Sequence, residues 1–213
     1  ADLKRRFCDI SVFMRAVKQR FSRWFNKRHG RRGGLWMGRF KSVLVEGKQT
    51  DAEGAQVDAL KVMAAYIDLN PVRAEVVEKA GDYRWSGWSA AQAEDKEAKE
   101  GLCDVVGCRE SQWEARGKAA YGSWVSETRR QVRARKEKAK RGEESELGLM
   151  ERVRAFSSGL AVGSEAFVEE VFAERRDLFG SRRKEGARPL DGGGGSIPGE
   201  LHALRDLRGS GKS

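Results

Sequence analysis

Pro71 constrains this chain more than any other residue, because it stops a helix where the apolar pattern would otherwise carry on. Val57, Leu60, Ala64 and Ile67, with Met63 beside them, follow a helical period across residues 55–69 and are expected to face a core. Proline biases the residue before it away from helical geometry. The helix should therefore end near Asn70, with a short helix over 72–77 after it. Tyr66 and Asn70 stand four positions apart, a spacing that on a helix sets two side chains on one face, about 5–6 Å apart at Cβ. A phenol beside a carboxamide can act as a phosphate-directed nucleophile with a helper ligand. A tyrosine at helical spacing is, more commonly, a core residue. Arg73 follows closely enough to offer a fixed guanidinium to phosphate.

Charge narrows the class of partner. The 213-residue chain carries a net charge of +10, and residues 1–46 account for all of it, with 13 basic side chains against Asp2, Asp9 and Glu46. A field of one sign gathered in one segment favours a polyanion. Interleaved aromatics add base-stacking partners, so nucleic acid is preferred to a membrane. No apolar run approaches the roughly 18 residues a membrane span needs. Cys8, Cys103 and Cys108 form neither an even disulfide framework nor two pairs of zinc ligands, so reduced thiols in a cytoplasmic setting are expected.

Within the basic segment, residues 9–28 read as a helix capped by Asp9 or Ser11, with Ile10, Phe13, Met14, Val17, Phe21 and Trp24 as one buried stripe. Arg20, Arg23 and Lys27 recur on a neighbouring face, where their heads can reach phosphates. Arg31 and Arg32 lie in the glycine-containing loop that follows. Residues 35–46 then alternate as a strand, with Trp36, Phe40 and Leu44 on one side and Arg39 and Lys41 among those on the other, flanking a phosphate path. Trp36 is expected to pack against a helix rather than to stack on a base.

Three segments now stand in order: Gly33-Gly34-Leu35-Trp36-Met37-Gly38-Arg39-Phe40-Lys41-Ser42, then Ala65-Tyr66-Ile67-Asp68-Leu69-Asn70-Pro71-Val72-Arg73-Ala74, then Asp82-Tyr83-Arg84-Trp85-Ser86. Together, over roughly residues 10–92, they resemble the REP-associated tyrosine transposases, single-tyrosine HUH enzymes that act on single-stranded DNA. The resemblance implies that Tyr66 is the nucleophile and that Asn70 helps a histidine pair hold a catalytic Mg²⁺ or Mn²⁺ ion. The cation would polarise the scissile phosphate, since a tyrosine of ordinary pKa near 10 is a poor nucleophile unaided. Attack would leave a 5′-phosphotyrosine and a free 3′-hydroxyl, which conserves the bond energy for rejoining. The family's His-hydrophobic-His signature precedes the tyrosine on a strand, whereas the only histidines here are His29 and His202. The chain is therefore expected to be an amino-terminally truncated relative that binds no catalytic metal and has little cleavage activity. Its implied partner is single-stranded or hairpin DNA, at a bacterial nucleoid and without a membrane. A homodimer, with the tyrosine acting within its own subunit or across, is left open.

The fold class expected is α+β: part of an antiparallel-sheet-plus-helices domain over residues 1–92, with one main strand and two helices, then a charged helical linker over 93–145 and a mostly helical region over 146–213. In residues 82–90, Tyr83, Trp85 and Trp88 read as an aromatic clasp closing the first domain. Residues 146–156 and 165–179 read as two helices joined by a Gly-containing turn, the outline of a helix-turn-helix, with Ser164 capping the second. Arg175, Arg176, Arg182 and Arg183 would then serve phosphate contacts, residues 191–199 would be a flexible glycine link, and the terminal 209–213 fails as a phosphate loop. Beside the transposase relative stand two other readings. One is a non-catalytic DNA-binding protein; the other is an RNA-binding module, for which no motif speaks.

Overall fold

The computed structural model describes residues 9–38, 40–47, 59–126, 129–142, 159–181, 183–190 and 201–205, apart from the side chains of 132, 135, 136, 139 and 205. The chain divides into two compact units, Ala1–Ser42 and Val43–Ser213. The protein is α+β. Among the described residues no helix is long and apolar enough to cross a membrane.

The first unit is built on helix α1 (Ile10–Arg28). Asp9 caps it as expected, its carboxylate accepting from the N–H groups of Ser11 (2.8 Å) and Val12 (3.3 Å). The described residues of 35–41 form no strand, contrary to the alternation in the sequence. That segment folds back on α1 instead: the Trp36 indole N–H donates to Ser22 Oγ (2.9 Å), and Lys18 Nζ donates to the Gly38 carbonyl (2.9 Å). These ties, and the positive φ of Gly33 (98°), turn the backbone away from any ladder. Trp36 does pack against a helix, with Phe21 5.8 Å away.

The second unit opens on a two-residue strand β1 (Leu44–Val45), all that remains of the strand expected over 35–46. Helix α2 (Ala59–Asp68) breaks at Leu69, and α3 (Asn70–Arg73) follows at once, shorter and earlier than the 72–77 expected. Asn70 is helical although it precedes the proline, which sits in the first turn of α3 where a missing N–H costs nothing. Next come α4 (Gly87–Gln92), α5 (Lys96–Val106), α6 (Lys118–Trp124) and α7 (Arg129–Lys140). Strand β2 (Gly159–Gly163), helix α8 (Glu165–Glu174) and strands β3 (Arg188–Pro189) and β4 (His202–Arg205) complete the unit. The sheet order is β1-β2-β4-β3 and the sheet is mixed rather than antiparallel: β1 runs parallel to β2, with Val45 opposite Val162, while β4 runs antiparallel to both β2 and β3.

Helix α2 is buried on two sides. Ala59, Val62 and Tyr66 pack with Val162, Leu190, Leu201 and Ala203 of the sheet layer, while Ala65 and Leu69 join Trp88, Leu102, Trp113 and Tyr121 in a helical core. This double burial displaces the stripe expected along 57–67: Leu60, Met63 and Ala64 are only half-buried and Ile67 is exposed. The helical core also crosses the expected boundary at residue 93, since Ala91 and Leu102 belong to one cluster. The segment there is a turn inside a unit, and α5 and α6 are core elements rather than a linker. Helix α7 is tied by Arg129 to Glu78 and by Arg133 to Glu75, each at 2.8 Å.

The helix-turn-helix outline does not survive. Gly159–Gly163, expected as a turn, is an inner strand of the sheet, so the region is strand–helix–strand rather than a helical hairpin. Ser164 does cap α8, its Oγ accepting from the Phe167 N–H (3.2 Å). The buried Glu46 completes this cap by accepting from the Ser164 N–H and hydroxyl (2.5 and 2.8 Å). Only glycine fits at 163, where a Cβ would lie 2.6 Å from both Glu46 Cβ and Phe167 Cδ1. Ser164→Ala should cost about 1 kcal/mol in denaturant unfolding, the usual worth of an N-cap. An unchanged midpoint would mean that Glu46 holds the helix alone. Arg176 and Arg183 are spent on structure, donating to the carbonyls of Phe179 (3.2 Å) and Gly186 (2.8 Å). Residues 146–156, 191–199 and 209–213, with Arg39 and Arg182, lie outside the described residues.

Candidate nucleic-acid interface and the tyrosine site

In the first unit, α1 has basic residues and no acid in its 19 positions. Arg20, Arg23 and Lys27 are exposed on it, as are Arg31 and Arg32 just beyond its end and Lys41 on the returning segment. Among the described residues no ion pair neutralises any of them. Lys27 and Arg28 in the last turn also suit the negative end of the helix dipole. The apolar stripe expected to be buried is not: Ile10, Phe13, Val17, Phe21 and Trp24 are 43–58% exposed, and no residue of α1 is buried. The folded-back segment covers only one edge of the helix. Against that edge lies an apolar groove of about 490 Å³ bordered by Met14, Phe21, Trp36 and Phe40. A second hollow of about 570 Å³ is lined by Ser11, Arg15, Lys18, Phe40 and Ser42, hydroxyls and cations suited to phosphate.

The tyrosine site is built differently from the expectation. Tyr66 is 8% exposed, its ring within the apolar layer between α2 and the sheet. The Arg73 guanidinium lies 3.7 Å from the centroid of that ring, and its Nη2 donates to the Tyr66 carbonyl (2.7 Å) and to the Asn70 side-chain oxygen. Asn70 itself is exposed at the start of α3. The helix break at Leu69 thus separates a buried phenol from an exposed amide, and a cation joins them from the side. The oxygen that Asn70 would lend to a metal is held by that guanidinium, whose positive charge opposes a second cation at the same place. His202 is buried on β4, and His29 is exposed beside Phe25 at the end of α1. No group of three or more His, Cys, Asp or Glu among the described residues could hold a metal. With its amide oxygen engaged by Arg73, Asn70 does not fit the ion that the resemblance implies.

Sequence reasoning passed over a buried carboxylate in this region. Asp68, the last residue of α2, is 4% exposed, and its carboxylate accepts from the Tyr121 hydroxyl (2.7 Å). Burial raises the Asp68 pKa above its ordinary value, and the Tyr121 hydroxyl partly offsets the rise. Burial, and then the neighbouring carboxylate, push the Tyr121 phenol up as well. A lone acid inside an apolar helical run was the available signal. Beside Asp68 opens a cleft of about 370 Å³, bordered by Ile67, Pro71, Val76, Tyr83 and Trp85. Trp88 closes the helical core, as the clasp reading expected for the segment, but Trp85 is 72% exposed with the Arg84 guanidinium 4.1 Å from its ring.

The chain matches no known family model, no curated protein and no solved structure.

Proposed function

We propose that this protein binds single-stranded DNA through its amino-terminal unit, and that it is a relative of the single-tyrosine transposases that does not itself cleave the strand. The observation that carries this reading is the exposed, unneutralised row of Arg20, Arg23 and Lys27 on a helix that also exposes Phe21 and Trp24. Cations that track phosphates, with aromatic rings for unstacked bases beside them, are what a single strand requires and a rigid duplex exploits less well. Burial of Tyr66 and the engagement of Asn70 by Arg73 support the non-cleaving half.

Fluorescence anisotropy with a labelled single-stranded oligonucleotide tests the binding, with the matched duplex as competitor. Tight, salt-sensitive association with the single strand is expected; equal or better competition by the duplex would count against it. Tyr66→Phe should leave the affinity within about twofold, because the lost hydroxyl belongs to a buried ring. Incubation with Mn²⁺ and oligonucleotide, followed by a denaturing gel, should show no adduct. A denaturant-resistant band that Tyr66→Phe removes would restore the nucleophile.

A further inference from the structure

We infer that the cleft beside Asp68 takes one unstacked nucleobase carrying an exocyclic amino group, a second DNA contact on the other unit of the chain. Three features converge there. Trp85 is 72% exposed, and Arg84 occupies one face of its indole, which leaves the opposite face for a planar ring and sets a guanidinium near the phosphate that would come with it. Ile67, Pro71 and Val76 give the cleft apolar walls, and its volume of about 370 Å³ falls at the small end of ligand pockets, about 300–1,000 Å³.

The third feature is the cleft's acid. Among the described residues the Asp68 carboxylate accepts one hydrogen bond, from the Tyr121 hydroxyl (2.7 Å). A carboxylate has about four acceptor positions, so one more donor can be seated. The amino group of adenine, cytosine or guanine supplies it. Thymine offers only an imide N–H set between two carbonyls, whose lone pairs would face the carboxylate. Position 87 is open to such a visitor because it is glycine: a Cβ there would sit 3.9 Å from Asp68 Oδ1, in ordinary contact and without strain. Gly87→Val should therefore crowd the carboxylate while leaving the fold intact.

As a contact for a DNA strand this inference rests on the single-strand reading, and the test separates the two. With ¹⁵N-labelled indoles, dAMP should shift the Trp85 resonance saturably, and dTMP should bind at least tenfold more weakly. Gly87→Val should abolish the shift. Trp85→Ala, at an exposed position, should weaken an oligo-dA strand by about tenfold, the worth of one stacked base, and an oligo-dT strand far less. The inference is overturned if dAMP leaves the Trp85 signal unmoved, or if dTMP moves it equally. Should the single-strand reading alone be wrong, dAMP would still shift Trp85 while no oligonucleotide bound tightly. Should the cleft alone be wrong, oligonucleotides would bind and Trp85→Ala would not alter them.

Discussion

Replacing Arg20, Arg23 and Lys27 together by alanine is expected to weaken single-strand binding by about 50-fold at 0.15 M salt. Each phosphate contact on a single strand contributes a slope of about 0.7 in log affinity against log salt, so three contacts carry a slope of about 2. Extrapolated from the 1 M reference to 0.15 M, that slope gives the quoted factor. The three residues are exposed along one side of α1 with no described acid near them, so alanine removes charge without removing packing. Helix propensity does not suffer, alanine being the best helix former. Measured over a range of salt, the variant's slope should be shallower by about 2 than that of the parent. A loss of affinity with the slope unchanged would mean that the helix was perturbed rather than its phosphate contacts. An unchanged affinity would move the interface elsewhere.

The second large effect concerns stability. Tyr121→Phe should lower the unfolding free energy by about 1.5–3 kcal/mol, the range for a hydrogen bond to a charged group. Tyr121 has no exposed surface and its hydroxyl is the only side-chain donor described on Asp68. The pH dependence has a definite sign. Burial raises the Asp68 pKa, so the folded state holds this proton more tightly than the unfolded one, whose carboxyl titrates near its ordinary value of 3.8. The associated stability is fully present below that value and is lost as pH climbs through the raised one. Asp68→Asn should erase this part of the stability–pH profile. Tyr121→Phe should move it further up in pH, because it removes a donor that favours the charged carboxylate. Thermal melts from pH 4 upward resolve both; a Tyr121→Phe profile superposable on the parent would show that the hydroxyl contributes nothing to the carboxylate.

The parts of this architecture that could be read from the chain are those fixed by neighbours in sequence. Asp9 announces α1 because its carboxylate serves N–H groups two and three residues on. A break near Pro71 is legible because proline has no N–H to continue a helix's bonding, although Asn70 before it is helical. What could not be read depends on residues far away. The segment 157–164, with two glycines and three serines, has the composition of a turn, yet Gly159–Gly163 is a strand because β4 pairs with it from some forty residues downstream. Tyr66 was legible as helical, but which side of α2 it would occupy was decided by a sheet layer drawn from 162, 190, 201 and 203. The stripe of α1 illustrates the converse: its period predicted burial, and no residue of the helix is buried. The burial of Asp68 is hidden for a related reason, since its hydroxyl partner Tyr121 arrives from another helix, 53 residues on.

The place of β4 between β2 and β3 has a consequence for how the polypeptide is made. During synthesis α1 can form as soon as it clears the ribosome, since the described bonds that tie the returning segment to it span only 14 and 20 residues. The second unit must wait: residues 44–45 find their parallel partner only when 161–162 emerge, and the central pairing closes only with 202–205. While residues 163–201 are being added, the nascent chain would thus carry α1 already formed and a sheet still lacking its central strand.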